Sequence, residues 1–320
     1  MNKVYISRNI FNEALDVLRK GKIEFTMNEA DVPLSKRELI NSARGCQGLI
    51  CLLTDTIDDE VFASLPDLQI VSNVAAGYNN IDVAAAIKHG VIVTNTPGVL
   101  TETTADLAFA LMICAARKIA EADKYTREGK YDGWKLKQPH LGTDIHGKTL
   151  GIIGMGSVGI ALAKRSKLGF GMDIIYCDER PCKEAEDKFG AKRISFEELL
   201  KTSDFISVHV PLTDKTRHLF GAREFKKMKA GSYLINTARG PIVNEVDLVE
   251  ALKNGPIAGA GLDVFEDEPR INPGLLKHEN VVLTPHIGSA SYETRIRMTV
   301  MAAENMAAVL NGRPPLTRVN

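Results

Sequence analysis

Short apolar runs alternate with helix-like patterns along most of the 320-residue chain. The runs are unbroken, which is typical of strands that are buried on both faces of a sheet. Strands separated by helices predict an α/β fold with mainly parallel sheets. Before residue 100 the predicted strands are Val4–Ile6, Gly48–Leu53, Ile70–Asn73 and Val91–Thr94. After residue 148 they are Thr149–Ile153, Met172–Cys177, Phe205–Val210, Ser232–Thr237, Ala258–Val264 and Val281–Thr284.

One long helical pattern separates the two series of strands. Thr103 and Asp106 fit a capping box, with a hydroxyl at the N-cap and a carboxylate three residues later. Apolar positions at helical spacing then continue from Leu107 towards Lys130, which exceeds a typical globular helix. We predict that this helix, near residues 103–130, forms the contact of a homodimer. A bent core helix is the alternative interpretation.

The length of the chain favours two domains. A last helix is predicted from Ser291 to Leu310, followed by Gly312 as a stop signal, and we expect it to return to the first domain. The predicted boundaries lie near Leu100 and His286. Residues 1–100 and 286–320 then form one domain, and residues 101–285 form a second domain inserted into it.

Charge and composition exclude several classes of protein. Forty Lys and Arg balance forty Asp and Glu, so a basic nucleic-acid-binding or membrane-surface protein is not expected. The longest uncharged apolar stretch, Leu107–Ala116, is far shorter than the roughly 20 residues of a membrane span. The N-terminus lacks a secretory pattern, and the five cysteines contain no C-x-x-C pair. We therefore predict a cytoplasmic protein with reduced thiols and no metal site.

One glycine motif matches a pattern without the matching context. Gly142–Thr149 satisfies the consensus of a phosphate-binding P-loop. That loop requires a strand before it and a helix after it, so that helix-terminal N–H groups meet the phosphates. Here an irregular segment precedes the glycines and a strand follows. We interpret the segment as a turn and reject nucleoside triphosphate hydrolysis.

A second glycine motif lies in the context that dinucleotide binding requires. Gly154, Gly156 and Gly159 form G-x-G-x-x-G between a predicted strand and a predicted helix. The first glycine permits the tight turn, the second lets a pyrophosphate approach the backbone, and the third packs the helix on the strand. Asp178 ends the next strand, nineteen residues after Gly159, where an acid binds the ribose hydroxyls. The spacing predicts a dinucleotide-binding site.

Asp178 also bears on which dinucleotide is bound. A carboxylate at this position repels a 2′-phosphate, so NAD is favoured. Arg180 could instead hold that phosphate, with Glu179 working against it. NADP therefore stays open as the alternative cofactor.

Three successive strands of the second domain end in residues suited to hydride-transfer chemistry, namely Arg239, Glu268 and His286. Ligands of open α/β sheets bind at these carboxyl ends. A guanidinium holds a carboxylate and polarises a carbonyl, and an imidazole beside a carboxylate passes the accompanying proton. Each residue alone also fits a surface charge or a structural histidine. His209 competes with His286, and Glu266 and Asp267 compete with Glu268.

These residues lie in motifs that resemble the D-isomer-specific 2-hydroxyacid dehydrogenase family over essentially the full chain. The motifs are Gly151–Gly159, His209–Thr213, Asn236–Asn244, Gly261–Pro269 and Thr284–Ser289. The resemblance implies two doubly wound parallel-sheet domains, a Rossmann NAD-binding domain inserted into a flavodoxin-like substrate domain. It implies that Arg239 binds and polarises a small anionic 2-oxo acid, that His286 is the acid/base, and that Glu268 is its carboxylate partner.

The resemblance also implies contacts to cofactor and substrate. Asp263 is expected to contact the nicotinamide amide, and Ala76 and Gly77 are expected to offer backbone donors to the substrate. The implied cofactor-binding residues are Gly154, Gly156, Ser157, Val158, Gly159, Asp178, Val210, Pro211, Thr237 and Asp263.

Particular positions narrow the subfamily. Val99–Leu111 looks like the glyoxylate/hydroxypyruvate and 2-ketogluconate reductases. Phosphoglycerate dehydrogenases have an arginine where this chain has Asn73, and formate dehydrogenases have glutamine where Glu268 stands. Many glyoxylate reductases that prefer NADP have a small residue and arginine where this chain has the acidic pair Asp178 and Glu179, which puts that preference in doubt.

The predicted activity is reduction of a small 2-oxo acid, first glyoxylate and hydroxypyruvate, to the D-2-hydroxy acid with NAD(P)H. Two alternatives remain. One is 2-ketogluconate reductase (gluconate 2-dehydrogenase). The other is an NAD(H)-sensing binding protein similar to the corepressors of the same family.

Overall fold

The structure, a computed structural model, describes residues 2–320, over which strands and helices alternate. The first part of the chain contains β1 (Lys3–Ile6), α1 (Asn12–Lys20), β2 (Glu24–Met27), α2 (Lys36–Ala43), β3 (Gly48–Cys51), α3 (Asp59–Ser64), β4 (Ile70–Asn73), α4 (Val83–Lys88) and β5 (Ile92–Thr94). The middle contains α5 (Thr101–Arg117), α6 (Ile119–Arg127), β6 (Thr149–Ile153), α7 (Ser157–Phe170), β7 (Asp173–Cys177), α8 (Lys183–Phe189), β8 (Lys192–Arg193), α9 (Phe196–Thr202), β9 (Phe205–Val208), α10 (Ala222–Lys227), β10 (Tyr233–Asn236), α11 (Glu245–Asn254), β11 (Gly259–Leu262) and β12 (Val281–Leu283). The chain ends with α12 (Tyr292–Leu310).

The chain divides into two compact units. Residues 1–100 and 290–320 form the first unit, and residues 101–289 form the second. The second unit is therefore an insertion in the sequence of the first. Residues 286–289, which the sequence analysis assigned to the first domain, belong with the second unit, because His286 and Gly288 hydrogen-bond to Asp263.

The sheet of the first unit is parallel, with the strand order β2-β1-β3-β4-β5 found in flavodoxin-like folds. Helix α12 packs on α1 and on the sheet face at β3 and β4. Ser72 on β4 donates a hydrogen bond to the carbonyl of Ala302 on α12, at 3.0 Å. A Cβ atom at Gly48 would lie 2.2 Å from the sulfur of Met306, so a larger residue there would have to displace the Met306 side chain.

The sheet of the second unit is also parallel, with the order β12-β11-β10-β9-β6-β7-β8. Its order reverses between β6 and β9, and open α/β sheets bind ligands outside the carboxyl ends of strands at such a point. Helix α5 covers one face, where a Cβ atom at Gly261 on β11 would come within 2.9 Å of the Leu111 Cβ. The predicted α/β class with two doubly wound parallel sheets is confirmed.

Three local predictions were wrong. Strands β2 and β8 were missed because both lie at sheet edges, where the residues stay partly exposed and form no continuous apolar run. The helix expected to begin at Thr103 begins two residues earlier. It also does not continue to Lys130, because Lys118 adopts the left-handed region (φ 52°) and separates α5 from α6.

Candidate active site

Arg239, Glu268 and His286 all follow strands of the second unit that are neighbours in the sheet. Arg239 comes after β10, Glu268 after β11 and His286 after β12, and β10, β11 and β12 pair in that order. Parallel strands place their carboxyl ends at the same edge, so the sheet brings the three side chains to one place.

His286 and Glu268 form an ion pair at this edge. Nδ1 of His286 lies 2.8 Å from Oε2 of Glu268, and the two side chains are 25% and 32% exposed. The other carboxylate oxygen of Glu268 accepts a hydrogen bond from the backbone N–H of Phe265, at 3.0 Å. The carboxylate is thus aligned from two sides, and Nε2 of His286 is the ring nitrogen left for proton exchange.

The pKa of Glu268 is shifted by its surroundings. Partial burial works to raise it, but the hydrogen bond and charge of His286, the Phe265 N–H group and the charge of Arg239 outweigh burial. The pKa of Glu268 therefore lies below its ordinary value, and the group is a carboxylate at neutral pH. An anion is therefore placed beside Nδ1 of His286.

Arg239 is held by the residues that follow β10. The side-chain amide of Asn236 donates to the carbonyl of Arg239 and accepts from the N–H of Ala238, at 2.9 and 3.0 Å. Nη1 of Arg239 donates to the carbonyl of Ala238, at 2.7 Å. Burial lowers the pKa of the guanidinium while the charge of Glu268 opposes that shift, and the group stays cationic at any physiological pH.

His286 occupies a backbone conformation that is rare outside glycine, with φ 55°. Asp263 stabilises this turn. Its carboxylate accepts hydrogen bonds from the hydroxyl of Thr284 at 2.6 Å and from the N–H groups of Ile287 and Gly288 at 2.8 and 2.7 Å. The N–H of His286 donates to the carbonyl of Asp263, at 2.9 Å. The family resemblance implies only a nicotinamide contact for Asp263, and the chain carries no local signal for its contacts with this turn.

The glycine-rich loop between β6 and α7 has the shape that a pyrophosphate needs. Gly154 is in the left-handed region (φ 91°), and a Cβ there would lie 2.9 Å from the carbonyl of His209. A Cβ at Gly159 would lie 2.4 Å from the Gly154 oxygen, so this glycine permits close packing of helix and strand. At Gly156 a Cβ would meet no protein atom within 4 Å, so that side of the loop is open for a ligand. Ser157 and Val158 form the first turn of α7, whose N-terminal N–H groups attract anions.

Asp178 directly follows β7 and lies against the glycine-rich loop. One carboxylate oxygen accepts from the N–H of Met155 at 2.7 Å, and the other accepts from the N–H of Arg180 at 3.2 Å. Arg193 on β8 donates to the carbonyls of Asp178 and Glu179. An acid and two arginines therefore share the corner where the adenosine ribose of a dinucleotide would lie.

The remaining predicted cofactor contacts follow β9 and β10. Val210 and Pro211 follow β9 after His209, across the reversal in strand order from the glycine-rich loop. The hydroxyl of Thr237 is buried and finds no hydrogen-bond partner within the described chain. A buried hydroxyl without a partner is costly, so a bound polar group is expected there. These features fit a dinucleotide.

The competing candidates have other partners. Burial lowers the pKa of His209 to about 4, and its Nε2 bonds the hydroxyl of Ser207 at 2.8 Å. Glu266 contacts His218, and Asp267 forms an exposed ion pair with Arg270. Among Glu266, Asp267 and Glu268, it is Glu268 whose carboxylate contacts the His286 ring.

Ala76 and Gly77 belong to the first unit, in the loop after β4. Their carbonyls accept hydrogen bonds from the side chains of Asn95, at 2.7 Å, and Asn73, at 3.0 Å. Asn73 also donates to the side chain of Asn80, at 3.1 Å. The residue that replaces the arginine of phosphoglycerate dehydrogenases therefore shapes this loop.

Two further features are the length and polarity of the helices and the arrangement of the ionisable side chains. Over residues 2–320 the helices are too short or too polar to cross a bilayer. In the same part of the chain no group of three His, Cys, Asp or Glu side chains is arranged to hold a metal ion. The five cysteines are free thiols, with Cys46 and Cys51 buried.

Comparison with known proteins gives consistent matches. The family model of the D-isomer specific 2-hydroxyacid dehydrogenase, NAD binding domain, matches residues 109–288, within the second unit. The chain is 49% identical over 323 residues to a glyoxylate reductase of Korarchaeum cryptofilum, covering 99% of this chain and 96% of that protein.

Solved structures agree with these sequence matches. A protein of Thermus thermophilus superposes with a TM-score of 0.93 at 41% identity, covering 99% of this chain and all of that one. The NADPH-dependent glyoxylate/hydroxypyruvate reductase of Sinorhizobium meliloti, solved with NADP and malonate, has a TM-score of 0.88 at 32% identity, covering 99% and 96%.

Proposed function

Because the chain belongs to the D-isomer-specific 2-hydroxyacid dehydrogenase family and is an oxidoreductase with an NAD-binding domain, we propose that it reduces glyoxylate and hydroxypyruvate to their 2-hydroxy acids. The observation that carries this proposal is the His286–Glu268 ion pair, on strand ends next to that of Arg239 and in the same unit as the glycine-rich loop. The names of the relatives, glyoxylate reductase and glyoxylate/hydroxypyruvate reductase, support the choice of substrate.

The three side chains divide the work of the reduction. Bound NAD(H) supplies the hydride that reduces C2 of the 2-oxo acid. Arg239 holds the substrate carboxylate with its fork of N–H donors and polarises the adjacent carbonyl. Nε2 of His286 gives a proton to the carbonyl oxygen, so a 2-oxo acid, a hydride and a proton become a 2-hydroxy acid. Glu268 aligns the imidazole through Nδ1 and offsets its charge.

Asp178 supports NADH as the preferred reductant. Its carboxylate faces the loop that would hold the pyrophosphate, and a negative charge there repels a 2′-phosphate. Arg180 and Arg193 lie at the same corner and favour NADPH as the second cofactor. The two reductants therefore have to be compared directly.

Asn73 supports a substrate without a phosphate group. A phosphorylated substrate needs a cation, whereas this side chain is an amide that bonds Gly77 and Asn80. We assign the role of substrate domain to the first unit, with Ala76 and Gly77 as backbone donors. The second unit is assigned the cofactor and the acid/base residues.

A homodimer through α5, α6 and the irregular segment after them is part of the proposal. Helix α6 has no buried residue within this described chain. The segment that follows exposes large apolar side chains, among them Trp134 at 76% and Leu136 at 77%. We propose that a second copy of the chain covers them, since large exposed apolar surface marks an interface. Replacing both residues by aspartate should convert a dimer to a monomer in light scattering, while Tyr292→Asp, an exposed aromatic of the first unit, should not.

The free thiols support a cytoplasmic location. All five cysteines are unpaired, and proteins of oxidising compartments usually use such residues in disulfides. Cell fractionation of the tagged protein tests this placement.

A substrate panel tests the proposed activity. Purified protein is assayed with glyoxylate, hydroxypyruvate, 2-ketogluconate and pyruvate, each with NADH and with NADPH. We expect the first two acids to give the highest kcat/KM. His286→Ala should lose turnover but keep NADH binding, measured by nucleotide fluorescence. Near wild-type turnover of His286→Ala would overturn the mechanism, and NADH binding without oxidation across the panel would indicate a purely binding protein.

A further inference from the structure

Glu245, the first residue of α11, lies buried against the loop that carries Glu268. One of its carboxylate oxygens accepts a hydrogen bond from the N–H of Glu266 at 2.7 Å, and the other accepts from the N–H of Asn272 at 3.3 Å. In return, the N–H of Glu245 donates to the carboxylate of Glu266 at 3.2 Å. The two glutamates thus exchange hydrogen bonds between side chain and backbone, and Glu245 bridges residues 266 and 272 on either side of Glu268.

This arrangement places an acid where the protein environment opposes its charge. Burial raises the pKa of Glu245, the charges of Glu266 and Asp267 add to that effect, and the two N–H groups only partly offset it. Two backbone N–H groups bind the carboxylate, but the burial of a charged group still costs free energy. A well-packed apolar side chain would avoid that cost. What the contacts of Glu245 provide instead is a fixed backbone in the loop that carries Glu268.

The same loop is held directly against the segment of Arg239. A Cβ atom at Gly240 would lie 1.8 Å from the carbonyl oxygen of Phe265, so the two backbones are in contact. His218 adds a link between them. Its ring Nε2 lies 2.5 Å from Oε1 of Glu266, and its backbone N–H donates to the carbonyl of Pro241 at 2.8 Å. Loop 265–272 and segment 239–245 are thereby joined at several points, with Glu245 at the centre.

We propose that Glu245 is a positioning residue for the reduction: it fixes loop 265–272 so that Glu268 stays on His286 and at a set distance from Arg239. The inference rests on the proposed function, since it concerns the same site. Glu245 is outside the predicted substrate and cofactor contacts, and it acts through Glu268. A displacement of a reacting group by about 1 Å can cost about a hundredfold in rate, so loss of the bridge should appear in kcat.

The test compares two variants of Glu245 with a matched control. Glu245→Ala removes both acceptors, and Glu245→Gln keeps one oxygen and presents an amide N–H group to a backbone donor. Glu250→Gln makes the same change at an exposed position of the same helix, where the side chain accepts a hydrogen bond from Asn254. Each variant is also made in a Glu268→Gln background, which gives a double-mutant cycle.

Four measurements separate positioning from folding. The melting temperature and the Kd for NADH report the fold and the cofactor site. The values of kcat and KM for glyoxylate, taken over a range of pH, report the chemistry. Amide hydrogen exchange at residues 265–272 reports the loop and needs no turnover.

The expected result is a fall in kcat of about tenfold or more for Glu245→Ala and a smaller fall for Glu245→Gln, in line with the cost of a misplaced group. The NADH Kd should stay within about twofold, the pH profile should shift in the direction seen for Glu268→Gln, and exchange in the loop should quicken. In the Glu268→Gln background the further loss should be small.

Two kinetic results would overturn the proposal. One is a kcat for Glu245→Ala that matches Glu250→Gln. The other is a loss that adds fully to that of Glu268→Gln, which would indicate that Glu245 acts independently of Glu268. If wild-type protein reduces no acid of the panel, the proposed function fails. The exchange data then still show whether Glu245 holds the loop, and unchanged exchange in Glu245→Ala would overturn the inference independently.

Discussion

Oε2 of Glu268 lies 2.8 Å from Nδ1 of His286, although the two residues follow different strands and are separated by eighteen positions in sequence. The contact exists because β11 and β12 are parallel neighbours whose carboxyl ends meet at one edge. The hydrogen bond and charge of His286 help to lower the pKa of Glu268, which makes the pH dependence of the enzyme a direct test of the site.

Glu268→Gln should move the pH optimum of glyoxylate reduction downward. The lowered pKa of Glu268 means that the folded protein holds a carboxylate at neutral pH, and an anion stabilises positive charge that develops on its hydrogen-bonded neighbour. Without that charge, the alkaline limb of the kcat profile should fall at lower pH. The profile is measured by NADH oxidation over a range centred on the ordinary pKa of imidazole, about 6.5.

Asp267→Asn serves as the control, because Asp267 pairs with Arg270 on the surface. An unchanged optimum in Glu268→Gln would contradict the pairing.

Arg239→Ala should lose most of the binding of the 2-oxo acid. Charge-assisted hydrogen bonds are worth about 1.5–3 kcal/mol each, so loss of both bonds of a bidentate contact predicts a fall in kcat/KM of at least about a hundredfold. Arg239→Lys should recover only part of this loss, because an ammonium lacks the planar fork. NADH binding should remain. If both variants retain wild-type KM for glyoxylate, the carboxylate is bound elsewhere.

Asp263→Asn separates two roles of this aspartate. If Asp263 mainly supports the turn of His286, an amide in place of one oxygen opposes a backbone N–H group, and the variant should lose about 1–3 kcal/mol of folding free energy together with kcat. If Asp263 only contacted the nicotinamide, the KM for NADH would rise and the melting temperature would not change. Urea denaturation and initial-rate kinetics on the same preparation distinguish the two results.

Asp178→Ala should shift cofactor preference towards NADPH. The substitution removes the charge that repels a 2′-phosphate and leaves Arg180 and Arg193 at the same corner. We expect the ratio of kcat/KM for NADPH to that for NADH to rise by about tenfold or more, which corresponds to about 1.4 kcal/mol. Lys192→Ala, a change of an exposed charge on β8, is the control. A constant ratio would mean that the ribose does not lie beside Asp178.

Gly156→Ala and Gly159→Ala should fail in different ways. The added methyl at Gly156 meets no protein atom within 4 Å, so the fold should be kept while NADH binding weakens. At Gly159 the methyl would lie 2.4 Å from the Gly154 oxygen, so the melting temperature should fall. Thermal unfolding and NADH titration are measured for both. Normal NADH affinity of Gly156→Ala would place the pyrophosphate away from this loop.

Periodicity and local motifs were enough for part of this molecule. The buried central strands were predicted from continuous apolar runs, because a strand covered on both faces leaves that record along the chain. Edge strands β2 and β8 leave no such record. The break at Lys118 was also missed, since the residue has no glycine or proline beside it to indicate a left-handed turn.

For the site, the sequence by itself determined which chemical groups are available: a glycine-rich turn, an acid after the next strand, and Arg239, Glu268 and His286 after three strands. Only the tertiary structure decided which groups meet. The acidic residues between positions 263 and 268 cannot be told apart from the sequence. In the structure, Asp263 stabilises the turn of His286, Glu266 exchanges hydrogen bonds with Glu245, and Glu268 hydrogen-bonds the imidazole. The physical reason is that strand order and backbone contacts such as Gly240 on Phe265 fix these distances, and both depend on residues far apart in the chain.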